Sequence, residues 1–243
     1  MERSGSEQIL GAGIYSVRQA ARLSDVPARS IQRWMQGYSY HYRGDVAHQP
    51  PVLRPQFSSS KELVNAVSFH DLLEIRFVHA FRKLGVSWKV IRMASEKART
   101  LLASEHPFTT DAFFSDGRGI FADLQKRGIR EKRLVDLVSD QYCFHNVMLP
   151  GFRAQIDLSD RGAERWWPLG RARKIVLDPA RQFGQPIVSD QSVPTVTLAK
   201  ATEKMGSERL VAQWYDLPRS SVHQAVAFER KLAAARDSSS ITT

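Results

Sequence analysis

Five arginines and one acid are the only Lys, Arg, Asp or Glu residues between Ser16 and Arg43. Arginine suits phosphate and guanine because its planar guanidinium can donate two parallel hydrogen bonds. The whole chain is also basic, with 35 Lys and Arg against 25 Asp and Glu and a formal net charge of +10. Such an excess favours nucleic acid as a partner, although a basic surface that serves only solubility has the same charge. The arginines are Arg18, Arg22, Arg29, Arg33 and Arg43.

A short pattern that includes two of these arginines occurs twice in the chain, about 190 residues apart. The copies run from Ala21 to Ile31 and from Ala212 to Val222, with Ala, Asp, an aliphatic, Pro, Ser and a β-branched residue at the same spacing. This spacing predicts a helix-turn-helix, because Ala allows close packing, Asp ends the first helix and Pro begins the second. In DNA-binding proteins the second helix lies in the major groove, whereas a hairpin used only for packing has the same backbone.

Local signals place the helices of the first copy. Ser16 can cap a helix over residues 17–24. Pro27 begins a second helix, over residues 27–36, which Gly37 ends. We therefore expect a complete helical hairpin before residue 38.

The segments after the first copy predict a wing and two further helices. Residues 38–60 are rich in Tyr and Pro and are typical of an irregular hairpin or wing. Ser68 begins a helix in a capping-box arrangement, and Ser87 begins another helix that ends near Leu102. Apolar residues of the first of these helices recur at spacings of four and three, at Leu73, Phe77, Phe81 and Leu84.

From Phe108 onward the pattern favours short strands until the helical C-terminal section. The predicted elements are a hairpin over 113–121, a short helix over 131–139, a strand over 142–149, two short strands with a turn over 154–167, a strand over 174–177, and a helical section over 195–235. The tail, 236–243, has little to bury and is expected to be disordered.

Several function classes are disfavoured by the composition. No apolar run approaches the roughly 20 residues of a membrane helix, and residues 1–13 lack the layout of a secretion signal. Cys143 is the sole cysteine, which excludes an intramolecular disulfide and favours a buried structural thiol. We therefore expect a cytoplasmic bacterial protein.

No catalytic signature stands out, and we predict a protein that is not an enzyme and has no cofactor or metal. The chain has no Gly-rich phosphate loop and no His-Glu-x-x-His motif. A metal site at His41, Asp45 and His48 fits no standard ligand spacing. A nuclease-like cluster of Asp111, Asp116 and Asp123 is the other alternative, but turn chemistry explains these acids better.

Residues 15–102 resemble the MerR-like winged helix-turn-helix domain. The opening motif of that family corresponds to Tyr15-Ser16-Val17, Ala21 and Asp25-Val26, and its later Leu-Gly turn before a helix corresponds to the segment 81–91. The usual Arg-Tyr-Tyr of the family is Gln32-Arg33-Trp34 here, and the wing is longer. The long dimerisation helix and the effector domain of the family have no counterpart.

Residues 173–232 resemble a small C-terminal domain found in bacterial antitoxins that are paired with PIN-type toxins. The match rests on the segments 175–179, 183–188 and 193–195 and on the helical pair that follows. The Gly-Thr-Arg that is usual near residues 190–192 is absent. Together the two resemblances imply a VapB-type antitoxin that represses its own operon and neutralises a VapC-type PIN-domain ribonuclease, with a stand-alone MerR-like regulator as the alternative.

The implied contacts divide between DNA and toxin. In this interpretation helix 27–36 enters the major groove of double-stranded operator DNA, while Ile31 and Trp34 belong to the core. Arg230, Lys231 and Arg236 are candidates for insertion into the carboxylate cluster with which PIN nucleases hold Mg²⁺. A homodimer is expected because a two-fold protein matches a palindromic operator. The DNA-contact candidates are Arg18, Arg22, Pro27, Arg29, Ser30, Gln32, Arg33, Tyr42 and Arg43.

The predicted fold is mainly α with small β elements, an α+β protein. Its segments are a leader (1–14), a winged helix-turn-helix domain (15–106), a mixed β connection (107–172), a C-terminal antitoxin-family domain (173–235) and the tail (236–243). The second copy differs from the first in its outer residues, which include Gln213, Trp214, Tyr215, His223 and Gln224. These favour a protein partner, either toxin or a second copy of the chain.

Overall fold

The computed structural model describes residues 11–42, 44–60, 62–113 and 153–238, without the side chains of 153 and 235–238. These residues fall into two compact units. The N-terminal unit comprises Ser16–Ala154 and Leu158–Ala163, and the C-terminal unit comprises Met1–Tyr15, Gln155–Asp157 and Glu164–Thr243. The division runs through the predicted β connection, whose boundaries remain predictions.

The N-terminal unit contains four helices and small β elements within its described residues. The predicted pair of helices is present as α1 and α2, and the predicted wing is a hairpin of β2 and β3. Strand β4 precedes the two longer helices α3 and α4, and a 3-10 turn at Pro107–Thr109 packs against both. The bounds are β1 Tyr15–Ser16, α1 Val17–Ser24, α2 Ala28–Gln36, β2 Tyr38–Tyr42, β3 Asp45–Gln49, β4 Ala66–Val67, α3 Phe69–Lys83 and α4 Trp88–Leu102.

Three predicted serine caps begin these helices. The hydroxyl of Ser16 accepts from the Gln19 amide at 3.2 Å, and that of Ser68 accepts from the Asp71 amide at 3.0 Å. Both form full capping boxes, which satisfy backbone N–H groups that have no partner within the helix. Ser87 caps α4 in the same way through its hydroxyl. The sequence therefore located these helix starts correctly.

An aromatic cluster joins α3 to the segment after α4. The ring of Phe108 lies 4.8 Å from Phe113, 5.9 Å from Phe81 and 6.3 Å from Phe77. All four rings are buried. Residues 111–113 are helical, so the predicted hairpin is wrong at Phe113, because Thr110 accepts from the Phe113 amide and starts a helix there.

This unit also contains a polar cluster of two half-buried histidines and two buried carboxylates. The rings of His70 and His106 are stacked with centroids 5.4 Å apart, and His106 Nδ1 lies 3.5 Å from a Glu74 carboxylate oxygen. Burial, with a smaller contribution from His106, lowers the pKa of His70 to about 4. Burial alone would lower the pKa of His106, but the carboxylates of Glu74 and Asp71 outweigh it and raise that pKa. The two histidines thus titrate on opposite sides of pH 6.5.

We expect His70 to make the protein less stable in mild acid. Between pH 6.5 and 4 the unfolded chain binds a proton at this residue that the folded chain does not, so the free energy of unfolding falls on acidification. From pH 6.5 to 4.5 the loss amounts to about 2–3 kcal/mol. The raised pKa of His106 acts above pH 6.5, where its stabilising contribution is lost, and so outside this window. Urea unfolding of the wild type and of His70→Gln at both pH values measures the difference, and equal pH dependence would contradict the assignment.

The C-terminal unit contains three helices and most of a small antiparallel sheet, including residues 156–157 of β5 and 164–166 of β6. The sheet has the order β5-β6-β7-β8-β9, and the central strands pair Ile175 with Val188 and Val176 with Ile187. Side chains of β7 and β8 are buried, and the helices pack against one another beside β8. The bounds are β5 Ile156–Ser159, β6 Gly162–Trp166, β7 Ile175–Leu177, β8 Pro186–Val188, β9 Val193–Pro194, α5 Thr195–Met205, α6 Glu208–Trp214 and α7 Arg219–Ser238.

A long-range hydrogen bond ties Tyr15 to Gly184 within this unit. The Tyr15 hydroxyl donates to the Gly184 carbonyl at 2.6 Å, and burial, followed by the charge of Asp178, raises the pKa of Tyr15. Gly184 has a φ of +80°, and a Cβ atom there would lie 2.5 Å from the Tyr15 hydroxyl. Glycine is therefore required by both the backbone and the available space.

The predicted α+β class is confirmed, and the end of the last helix differs from the prediction. Helix α7 continues to Ser238, three residues into the predicted tail. Residues 114–121, the predicted helix 131–139, the predicted strand 142–149 and Cys143 lie outside the described residues. Among the helices that the structure describes, none is long and apolar enough to cross a membrane.

Candidate nucleic-acid interface

The turn between α1 and α2 has the backbone predicted for a helix-turn-helix. Asp25 adopts the left-handed conformation, with φ 59° and ψ 36°, which ends α1. The Val26 amide then donates to the Ala21 carbonyl at 3.3 Å, and the Ser30 amide donates to the Pro27 carbonyl at 2.9 Å. These bonds turn the chain directly into α2, so the two helices form a tight hairpin.

Helix α2 has a buried face that fixes its orientation. Ile31 and Trp34 are buried, as predicted, and so is Met35. The Trp34 ring meets the Trp88 ring of α4 edge to face, with centroids 5.4 Å apart. Since rotating α2 would expose these side chains, its opposite face is held towards solvent.

The outer face carries the predicted DNA-contact residues. Arg29, Gln32 and Arg33 are exposed on α2, and Ser30 is half-buried. Arg18 of α1 and Pro27 of the turn are exposed, and Arg22 is half-buried. The structure thus brings the candidates of the two helices to one helical hairpin, while their roles as DNA contacts stay predictions.

A half-buried arginine of α3 contacts the end of α1. Arg76 of α3 reaches the Leu23 carbonyl near the end of α1, at 3.5 Å. Burial lowers the pKa of Arg76 to about 10, and the charge of Asp25 partly offsets this effect. A cation at a helix C-terminus interacts favourably with the helix dipole, so Arg76 helps to hold α1 in place.

Gly37 couples the end of α2 to the wing. It has a φ of +74°, and a Cβ atom there would lie 2.5 Å from the Gln49 carbonyl oxygen of β3. The Trp34 carbonyl accepts from the amides of Val52 and Leu53 at 2.8 and 3.0 Å. These contacts fix where the wing begins, at Gly37, and where the chain after the wing returns to α2, at Val52 and Leu53.

Three tyrosines lie on one face of the wing, next to α2. Tyr38, Tyr40 and Tyr42 alternate along β2 and are all exposed, and alternate residues of a strand share a face. The guanidinium of Arg33 lies 4.9 Å from the centre of the Tyr38 ring, which places the wing beside the outer face of α2. Arg43, the other predicted wing contact, lies outside the described residues.

Tyr42 was predicted as a wing contact from the sequence, whereas the place of Tyr38 next to Arg33 was not. The sequence contains part of the signal for this aromatic surface, because Tyr at every second position of a strand predicts a row of aromatic side chains on one face. The contact with Arg33 depends on the path through Gly37, which spacing alone does not reveal.

The second copy of the pattern forms the same hairpin. Asp216 is left-handed, with a φ of 51°, and the Leu217 amide donates to the Ala212 carbonyl at 2.9 Å. The side chains of Ala212 and Leu217 are buried in the C-terminal core, against which Tyr215 packs. The outer residues differ from the first copy: Trp214 is 77% exposed at the end of α6.

The candidate toxin contacts lie on α7. Arg230 and Lys231 are exposed in the second half of that helix. Arg236 belongs to the same helix, but its side chain is outside the described part of the chain. Their role as toxin contacts stays a prediction.

Comparison with known proteins supports the first hairpin as a DNA-binding element. Residues 13–95 match the family described as "Putative DNA-binding HTH domain". The crystal structure of Rv2018 from Mycobacterium tuberculosis is similar in fold, with a TM-score of 0.62 and 21% identity, and the match covers 87% of this chain and 96% of that chain. No curated protein matches the chain. Residues 13–95, which contain α1, α2 and the wing, are thus the part of the chain that is similar to a DNA-binding helix-turn-helix domain.

Proposed function

We propose that the protein is a VapB-type antitoxin that binds operator DNA through its first hairpin, represses its own operon and neutralises a PIN-domain ribonuclease of VapC type. The observation that carries the DNA half is the outer face of α2, where Arg29, Gln32 and Arg33 are exposed beside the tyrosines of the wing. Arginine and glutamine are the side chains that pair bidentately with guanine and adenine in the major groove.

A two-part mechanism follows from this arrangement. Helix α2 lies in the major groove and contacts bases, while Arg18 and Arg22 contact phosphates and Tyr42 and the wing contact the flanking backbone. Phosphate contacts fix the register and base contacts fix the sequence. A homodimer places two such hairpins on a palindromic operator.

Neutralisation uses the basic end of α7. A PIN nuclease holds Mg²⁺ with clustered carboxylates, and an arginine or lysine that enters the cluster competes with the metal and blocks the substrate. Arg230 and Lys231 are exposed on a rigid helix, which lowers the entropic cost of presenting their charges.

The toxin half is tested by expressing the chain with the product of the neighbouring reading frame. We expect the two proteins to copurify and the growth arrest caused by the neighbour to be relieved. The purified pair should also bind the DNA upstream of the operon more tightly than a shuffled duplex of equal length. DNA binding without copurification or rescue would favour a stand-alone regulator and contradict the antitoxin role.

A truncation separates the two activities. Deleting residues 233–243 removes the end of α7, including Arg236, and leaves the buried residues Val222, Val226 and Phe228 in place. We expect neutralisation of the toxin, measured as growth rescue, to be impaired and operator affinity, measured by gel shift, to stay within about twofold, since α2 is untouched. Full rescue by the truncated chain would contradict a role for this end.

A further inference from the structure

We propose that the second hairpin is a separate DNA-reading element, in which the first half of α7 contacts bases through Arg219, Ser220 and His223. This site lies entirely within the C-terminal unit, outside the residues 13–95 to which DNA binding is assigned. It replaces the protein partner expected from the outer residues of the second copy with double-stranded DNA, bound at a second place on the chain.

The second hairpin shares its left-handed aspartate and its main turn bonds with the first. Asp25 and Asp216 have φ values of 59° and 51°. The Ser30 amide donates to the Pro27 carbonyl, and the Ser221 amide donates to the Pro218 carbonyl. Each acceptor lies three residues earlier, and both distances are 2.9 Å. The turn therefore directs α7 away from α6 in the way that the first turn directs α2 away from α1.

The second hairpin also has the third helix that a free-standing DNA-binding unit requires. Helices α5, α6 and α7 each pack against the other two. Leu198 of α5, Val211 of α6 and Val222 of α7 share one buried core. The hydroxyl of Thr195 bonds to the Glu229 carboxylate and ties α5 to α7. A three-helix core of this kind is how homeodomains support their recognition helix.

The outer face of α7 carries side chains suited to base edges. Arg219 and His223 are four residues apart and so share a face of the helix, with Ser220 beside them, and all three are exposed. The side chain of His223 is 69% exposed, and its Nδ1 lies 3.1 Å from the Glu208 carboxylate. That contact orients the ring and leaves Nε2 for an external partner. Arginine pairs with guanine, and serine bonds to several bases.

The excess of positive charge differs between the two hairpins, which predicts a different contribution to DNA binding from each. Residues 195–234 contain six Lys and Arg against four Asp and Glu, a smaller bias than the arginine-rich first copy. Because phosphate contacts supply most of the salt-dependent affinity, the second hairpin contributes sequence discrimination more than binding strength.

Leu210 and Trp214 are the exposed large apolar residues of α6. Trp214 is the last residue of α6, whereas Glu208, which holds His223, is the first. At 1.5 Å per residue the two positions are about 9 Å apart along the axis. Arg219 begins α7 five residues after Trp214, so a protein that covers Trp214 would compete for the neighbouring Arg219 face, and binding of protein at that face is the competing outcome of the test.

The experiment uses the full chain and a randomised duplex library. Duplexes selected by the wild type should contain two separate conserved segments of different sequence within each half-site, both protected in hydroxyl-radical footprints. The double variant Arg219→Ala with His223→Ala should lose protection and sequence preference at one segment only, with affinity reduced roughly fivefold or more. Lys204→Ala, which removes one exposed charge from α5, is the matched control and should behave as the wild type.

Two results distinguish this proposal from DNA binding by the first hairpin alone. If Arg29→Ala with Arg33→Ala removes the other segment, both hairpins read DNA. If the Arg219 and His223 variant keeps the wild-type footprint and affinity, with helical content and melting temperature unchanged, the second hairpin does not read DNA. The same result with loss of copurification would assign this face to a protein instead and overturn the proposal.

Discussion

Operator DNA is expected to bind roughly 30-fold more weakly, or worse, when Arg29 and Arg33 are both replaced by alanine. Each side chain is exposed on the outer face of α2, and each base contact of this kind contributes about 1–3 kcal/mol. If both arginines also neutralise phosphates, the slope of log affinity against log salt should flatten by about two. Fluorescence anisotropy with a labelled duplex at several salt concentrations measures both quantities.

A charge-matched variant separates specific contacts from net charge. Arg161→Ala with Lys204→Ala removes two exposed cations that lie outside both proposed DNA-contact faces. It should change affinity by less than about threefold, because neither side chain belongs to a proposed contact face and salt screens exposed charges beyond about 10 Å. Equal loss in both double variants would show that only net charge attracts the DNA, and unchanged affinity in the first would remove α2 from the interface.

Phe108→Ala should destabilise the N-terminal unit by about 3–5 kcal/mol. The ring is fully buried between α3 and the helical segment at Phe113, so alanine leaves a cavity that these elements cannot fill. Because α3 packs against α1, the helical hairpin depends on this cluster for its support. Denaturant unfolding followed by tryptophan fluorescence measures the loss.

Leu101→Ala is the control for this substitution. Leu101 belongs to α4 and is 61% exposed, so the same truncation should cost less than about 1 kcal/mol. Phe108→Leu, which keeps most of the apolar volume, should recover part of the loss. A cost for Phe108→Ala no larger than that of the control would show that the cluster does not stabilise the unit.

Features set by neighbours in the sequence could be predicted. Ser16, Ser68 and Ser87 cap their helices through amides three residues away, so the signal lies in a single turn of chain. Asp25 and Asp216 end helices because a short polar side chain tolerates the left-handed conformation. Propensity and capping act over these short distances, which is why the helix starts and both turns agree with the structure.

Features that depend on tertiary contacts could not be predicted. His70 and His106 stack across 36 positions, and Tyr15 bonds to a carbonyl 169 residues away. No local sequence pattern around His70, His106 or Tyr15 identifies the residue that each of them contacts. The position of Tyr38 beside Arg33 depends in the same way on the path of the wing, so the aromatic part of the interface emerged only from the structure.

The exposure of Trp214 gives the C-terminal unit its own optical reporter. Trp34 and Trp166 are buried, Trp88 and Trp167 are half-buried, and Trp214 is 77% exposed. A dissolved collisional quencher such as iodide will therefore act chiefly on Trp214. Its quenching constant then follows events at the second hairpin in the unlabelled, intact chain. Protection of this one indole on adding DNA or a protein partner would show which ligand reaches that end of α6.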